Sequence, residues 1–125
     1  MSAVRLIKAA DRNNELSPVQ SGRFNLPPMQ RTVLETDMPT RVSFIHFEPG
    51  AHTMWHSHAG GQVLHFVEGR ARACAWGEEA HALNAGDTLV APPGEKHWHG
   101  AAPDVGMTQL AISSGEVTWL EDVTV

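Results

Sequence analysis

Past residue 40 the chain alternates apolar and polar side chains in short bursts, at residues 42–48, 62–67, 70–76, 88–91, 105–112 and 117–120. A period of two is that of a half-buried strand, and no stretch in this part carries the 3.6-residue apolar stripe of a helix. The bursts are separated by turn formers: Pro49-Gly50, Gly60-Gly61, Glu68-Gly69, Gly77, Asn84-Ala85-Gly86-Asp87, Pro92-Pro93-Gly94, Gly100, Pro103-Asp104 and Ser114-Gly115. Many short strands punctuated by Gly and Pro predict an all-β sandwich or barrel. Residues 1–40 lack this rhythm. Residues 6–10 fit a strand or a helical turn, and Pro27-Pro28 marks an irregular stretch that wraps the barrel. The expected organisation is one domain, with residues 1–40 as an N-terminal strand or irregular segment around a barrel of residues 41–125.

Length and charge narrow the picture. With 125 residues the chain supports one core, and 42% hydrophobic residues fit a folded globular protein. The net charge is −5 and the nine Lys and Arg are scattered, which argues against nucleic acid as a partner. Arg5 and Lys8 interrupt the N-terminal apolar residues, so neither a signal peptide nor a membrane span is expected. A single cysteine, Cys74, makes no internal disulfide, and a cytoplasmic location is expected.

Histidine changes the picture most. Eight are present, two of them as His56-Ser57-His58 and two as His97-Trp98-His99, and tyrosine is absent. Clustered histidine without clustered cysteine points to a metal held by imidazoles. On a strand, residues i and i+2 face the same side about 6.5–7 Å apart, a span two imidazoles can close onto one ion. Ala59-Gly60-Gly61 then reverses the chain, so Gln62 opens the neighbouring strand beside the pair. His97 follows a second turn, Pro92-Pro93-Gly94-Glu95. His56, His58, Gln62 and His97 would fill one side of an ion and leave the rest open to water or substrate, as a catalytic site requires.

These residues resemble the two motifs of the cupins, small jelly-roll barrels with a metal in the cavity. The first motif reads Gly50-AHTMW-His56-Ser-His58-AGG-Gln62-VLHFVE-Gly69, and the second Gly86-DTLVA-Pro92-Pro-Gly94-EK-His97-WHG-Ala101. Gln62 stands where the motif has Glu, and Ala101 where it has Asn. The Gln and the string from Gly94 to Pro103 are similar to the manganese-dependent hydroxynitrile lyases among them, which cleave or form cyanohydrins at the metal. The resemblance implies an all-β, single-domain cupin jelly-roll barrel with one divalent ion per chain, manganese first. Iron, nickel and zinc remain open, because imidazole sites follow availability as much as affinity. Those lyases carry a chemistry-assisting His where this chain has Gln109, so Gln109 is a candidate catalytic position.

His99 shares the strand face of His97, which makes it either a general base or hydrogen-bonding partner of substrate, or a solvated neighbour. His46 and His52 read as structural or surface residues, His65 as pointing away from the metal, and His81 as exposed. Cys74 reads as a packed side chain, and Trp55 and Trp98 as packing between strands or at a subunit contact. Ala71, Ala73 and Ala75 face the interior while Arg70 and Arg72 stay solvated. No motif strand aims an arginine into the cavity, which favours a small neutral substrate, with Arg41 and Lys96 keeping an anionic one open. Edge strands and apolar faces predict a homodimer. Three functions follow: a Lewis-acid lyase, an iron-dependent dioxygenase, or a non-catalytic ligand- or metal-sensing module. Gln62 ranks the lyase first. Four neutral donors leave an ion its full 2+ charge, which polarises a substrate oxygen strongly and disfavours the 3+ state that oxygen activation uses.

Overall fold

A computed structural model describes residues 4–34 and 38–124. The described residues form ten strands: β1 (Ser17–Pro18), β2 (Met29–Leu34), β3 (Thr40–Phe47), β4 (His56–His58), β5 (Gln62–Ala75), β6 (His81–Asn84), β7 (Thr88–Ala91), β8 (His97–Ala101), β9 (Met107–Ser114) and β10 (Val117–Trp119). Among the described residues the only helical piece is one 3-10 turn, Ala9–Asp11. The strands pair in the order β1-β2-β3-β9-β5-β8-β4-β10, with β6 and β7 also on β5, and every ladder is antiparallel. The curled antiparallel sheet is the expected jelly-roll barrel.

Two predicted strands, 62–67 and 70–76, are one fourteen-residue strand. Glu68-Gly69, which reads as a turn, is instead a bulge: the register with β9 shifts between Phe66 and Glu68, and Gly69 takes φ 78°. Glycine bends the strand there without reversing it. The first half of β5 therefore pairs with β7 and β9, and the second half with β6 and β8. Strand β6 carries no apolar alternation in the sequence: three of its four residues are exposed and only Leu83 is half-buried.

Lateral rows across β3, β9 and β5 explain how the barrel closes at one end and opens at the other. Strand β9 alternates strictly, with Met107, Gln109, Ala111 and Ser113 inward. Its register sets four rows: Phe47–Met107–Gly69, Ile45–Gln109–Phe66, Ser43–Ala111–Leu64 and Arg41–Ser113–Gln62. Phe47 and Met107 of the first row are apolar and fully buried, and join Ala51, Leu64, Phe66, Ala71 and Ala101 in the core. The last row is polar and lies at the open end. Gly100, in β8 beside His99, lets β8 press against the segment before β4: a Cβ there would fall 2.5 Å from His52 Cα and closer still to Ala51 O. Gly100→Ala should thus destabilise the fold by about 1–3 kcal/mol or more, since overpacking forces backbone apart. A urea titration showing an unchanged midpoint would contradict this packing.

Candidate metal centre

Strands β4 and β8 put their histidines together by direct pairing, His56 opposite His97. Strand β4 pairs with β8 and β10 and not with β5, so Gln62 does not come alongside His56 and His58 through a hairpin ladder as the sequence suggested. It arrives instead from the facing sheet, as the first residue of β5. The turn between them is held by Gly61 N donating to His58 O at 3.0 Å.

The imidazole rings form a tight group. Ring centroids lie 4.5 Å apart for His56 and His97, 5.2 Å for His56 and His99, 5.8 Å for His97 and His99, and 5.1 Å for His56 and His58. One ligand atom from each of His56, His97 and His99 lies within 4.8 Å of the others, so this trio could hold a metal ion. His58 stands at the side, its ring 6.1 Å from that of His97. All four are buried. The geometry thus places His99, read from sequence as a base or partner of substrate, level with the candidate ligands.

Hydrogen bonds fix the tautomers. Nδ1 of His56 donates to Met54 O and Nδ1 of His97 to Glu95 O, both at 2.9 Å. Each ring therefore turns a lone pair outward on Nε2. Gln62 Nε2 donates to Ser113 Oγ at 2.9 Å, which aims the amide oxygen the other way, 2.9 Å from His97 Nε2. Two acceptors at that distance suit a cation set to one side of both, about 2.0–2.2 Å from each, as is typical of imidazole and oxygen ligands. His58 adds two buried ring nitrogens with no partner at all. The residues present therefore fit a divalent ion, whose borderline character suits imidazole and amide oxygen.

Burial also keeps the rings neutral. Desolvation first, and then the neighbouring His97, push the His56 pKa down to about 3. The same two causes, followed by the charge of Arg41, bring His58 to about 4. His97 is lowered by burial, and His99 falls well below the usual imidazole value, again by burial first and then by its histidine neighbours. Gln109 stands near His99 and only partly offsets that lowering. Its fully buried amide reaches no acceptor or donor at good hydrogen-bond geometry among the described residues.

The site opens into a cavity of about 430 Å³. Phe24, Ile45, Val117 and Trp119 give it apolar walls, and Trp119 packs on the His56 ring at 4.8 Å. Phe24 and Trp119 come from opposite ends of the chain and touch each other at 6.0 Å. Sequence reasoning missed both, because nothing local marks a distant segment as a wall. The motif strands send no arginine into the cavity, as expected, but Arg41, kept open in the sequence, lines it together with Arg23, which the sequence did not single out. Arg41 is the first of the alternating inward residues of β3, in the row of Gln62, a position visible only once β3 is paired.

Lys96 serves elsewhere. Its ammonium sits 3.1 Å from the centre of the Trp76 ring and 5.6 Å from that of Trp55, and pairs with Glu121 at 2.6 Å. This clasp ties the segment after β10 to the residue before His97. His52 is buried against Trp98 and bonded to Thr53 O. His65 bonds Thr88 on the outer face, His46 bonds Thr108, and His81 is exposed. Cys74 is packed, its thiol donating to Ala75 O and Glu78 O.

Comparison with known proteins agrees with this fold. The model of the cupin domain matches residues 43–113, more than half of the chain. The chain belongs to the cupin family. This cupin is 45% identical over 86 residues to a protein of Granulicella tundricola named (R)-mandelonitrile lyase, an alignment covering 62% of this chain and 63% of the relative. Its fold matches a cupin-like protein from Thermotoga maritima with a TM-score of 0.82 at 36% identity, over 86% of each chain. It also matches a putative acetylacetone dioxygenase from Methylibium petroleiphilum with a TM-score of 0.77, over 100% of this chain and 90% of the other. At 10% identity that last likeness concerns the fold alone. Among the described residues no helix is long and apolar enough to cross a membrane.

Proposed function

We propose that this cupin is a metal-dependent lyase that cleaves or forms a small cyanohydrin-class substrate, neutral at its reacting end. The observation that carries this reading is a group of neutral donors, His56, His97 and His99 with the Gln62 amide oxygen, beside a cavity with an apolar wall; from it we assign His56, His58, His97 and Gln62 to the ion. His58 joins the set by turning its unpartnered imidazole toward the ion, and His99 remains free to face substrate. The relative named for mandelonitrile supports the choice of substrate class. Manganese is the proposed ion, and the protein is proposed to act as a cytoplasmic homodimer.

When bound, the ion supplies a Lewis acid that polarises the substrate hydroxyl. The chain does the rest. Phe24, Ile45, Val117 and Trp119 hold the apolar part of the substrate and exclude water. His99, kept neutral by burial, takes the hydroxyl proton at a ring nitrogen. The C–O π bond forms as the bond to the nitrile carbon breaks, and the electron pair leaves with cyanide. Because burial makes the imidazolium a poor place for a proton, His99 returns it to cyanide, which departs as HCN. Ser113 keeps the Gln62 amide oxygen turned toward the site throughout.

Aldehyde release from (R)-mandelonitrile by the manganese-loaded protein tests the reading. Substrate-dependent oxygen uptake by the iron-loaded protein would replace it with a dioxygenase. Gln62→Glu should keep or tighten the metal and lower the lyase rate by about tenfold or more, because an anionic donor weakens the Lewis acid. Equal rates for the variant and the parent protein would remove the role given to the neutral amide.

A further inference from the structure

The protein carries a net charge of −5, yet its cavity is lined by two arginines and, among the described residues, by no Asp or Glu. Neither Arg23 nor Arg41 is ion-paired with a carboxylate among the described residues. Arg41 is exposed at the cavity mouth and donates to Gly115 O at 3.2 Å, and its other guanidinium donors have no protein acceptor among the described residues. Its row places it two strands from Gln62, about 10 Å between Cα atoms at the usual strand spacing. Arg23 lies over the Trp119 ring at 5.7 Å, on the wall that packs against His56. Ser43 and Ser113, both buried, and the apolar side chains of Ile45 and Trp119 line the same cavity as the arginines and the imidazoles. His58, buried and with both ring nitrogens unpartnered among the described residues, faces the same space. A cavity built this way has a charged rim and a neutral floor in an acidic protein.

We infer that the rim, Arg41 with Arg23, is a subsite for a carboxylate at the far end of the substrate, whose flat apolar middle lies on Ile45 and Trp119 while its other end reaches the imidazoles. This rests on the lyase reading for the identity of the reacting end only. The substrate class it names is an aryl or comparably flat molecule that is anionic at one end and neutral at the other.

Calorimetric titration of the metal-loaded protein with benzoate and with benzamide, of equal size and different charge, tests it. Benzoate should bind about tenfold more tightly than benzamide, as a charge-assisted pair with a guanidinium implies. Arg41→Gln should abolish most of that preference by weakening benzoate alone, and Arg23→Gln should act in the same direction and less. Equal affinities, no measurable benzoate binding, or a preference that survives Arg41→Gln because the carboxylate sits on the ion, would each overturn the subsite. If Arg41→Gln weakens benzamide equally, Arg41→Lys decides: a retained preference supports the subsite and a lost one overturns it. Cleavage of a neutral cyanohydrin is read separately. Lyase activity without charge preference removes the subsite alone, and charge preference without lyase activity removes the reaction alone.

Discussion

Replacing His97 with alanine should weaken metal binding by at least about a hundredfold, since even partners that only orient a ligand cost 10–100-fold. His97 pairs directly with His56 across the ladder, and its Nε2 is the atom that Gln62 Oε1 faces at 2.9 Å. Removing it takes away one donor and leaves the amide oxygen without its counterpart. Elemental analysis after dialysis measures this. The same assay separates the two possible roles of the remaining histidines. His58→Ala should lose metal as His97→Ala does, whereas His99→Ala should keep its metal and lose turnover. If His99→Ala sheds the ion and His58→Ala retains it, the ligands are the trio His56, His97 and His99 instead.

Acidification should unfold the metal-free protein sharply between about pH 6.5 and pH 4. The unfolded chain protonates its histidines near the ordinary value of 6.5, whereas the folded chain holds His56 neutral down to about 3 and His58 to about 4. Below pH 6.5 the unfolded state therefore binds more protons, and stability falls with falling pH. Above 6.5 both states are neutral and the effect vanishes. His97 and His99 are lowered as well and act in the same direction. Each unit of lowering corresponds to about 1.4 kcal/mol, so a few such rings rival the about 5–15 kcal/mol that stabilises a typical domain. Thermal melts of chelator-treated protein across this range measure it. A melting temperature flat from pH 7 to pH 4 would show that the rings are not held neutral. Bound metal should steepen the loss, because protons compete for the same nitrogens.

The parts of the site legible in the sequence are those carried by local geometry. His56 and His58 share a face because a strand repeats every two residues, and the Pro92–Gly94 turn delivers His97 into a strand. What was not legible depends on pairing between distant segments. Arg41 joins the row of Gln62 only through β9, and Trp119 reaches His56 only because β10 adds to β4. The bulge at Glu68-Gly69 has the composition of a turn, and the neighbouring ladders decide that it bends β5 without reversing it. Lys96, next to His97 in the chain, leaves an anionic substrate open in the sequence. Two tryptophans twenty and forty residues or so before it in the chain, with Glu121 beyond, turn it outward. His99 shows the same limit from the other side. Its face follows from its parity with His97, while its separation from His56 depends on how tightly Gly100 lets β8 approach the segment before β4.

Titrating chelator-stripped protein with manganese while recording aldehyde release from (R)-mandelonitrile tests the central claim most directly. The rate should rise from background and level off at one ion per chain. A rate that stays at background through that equivalence point, with the ion bound, would contradict it.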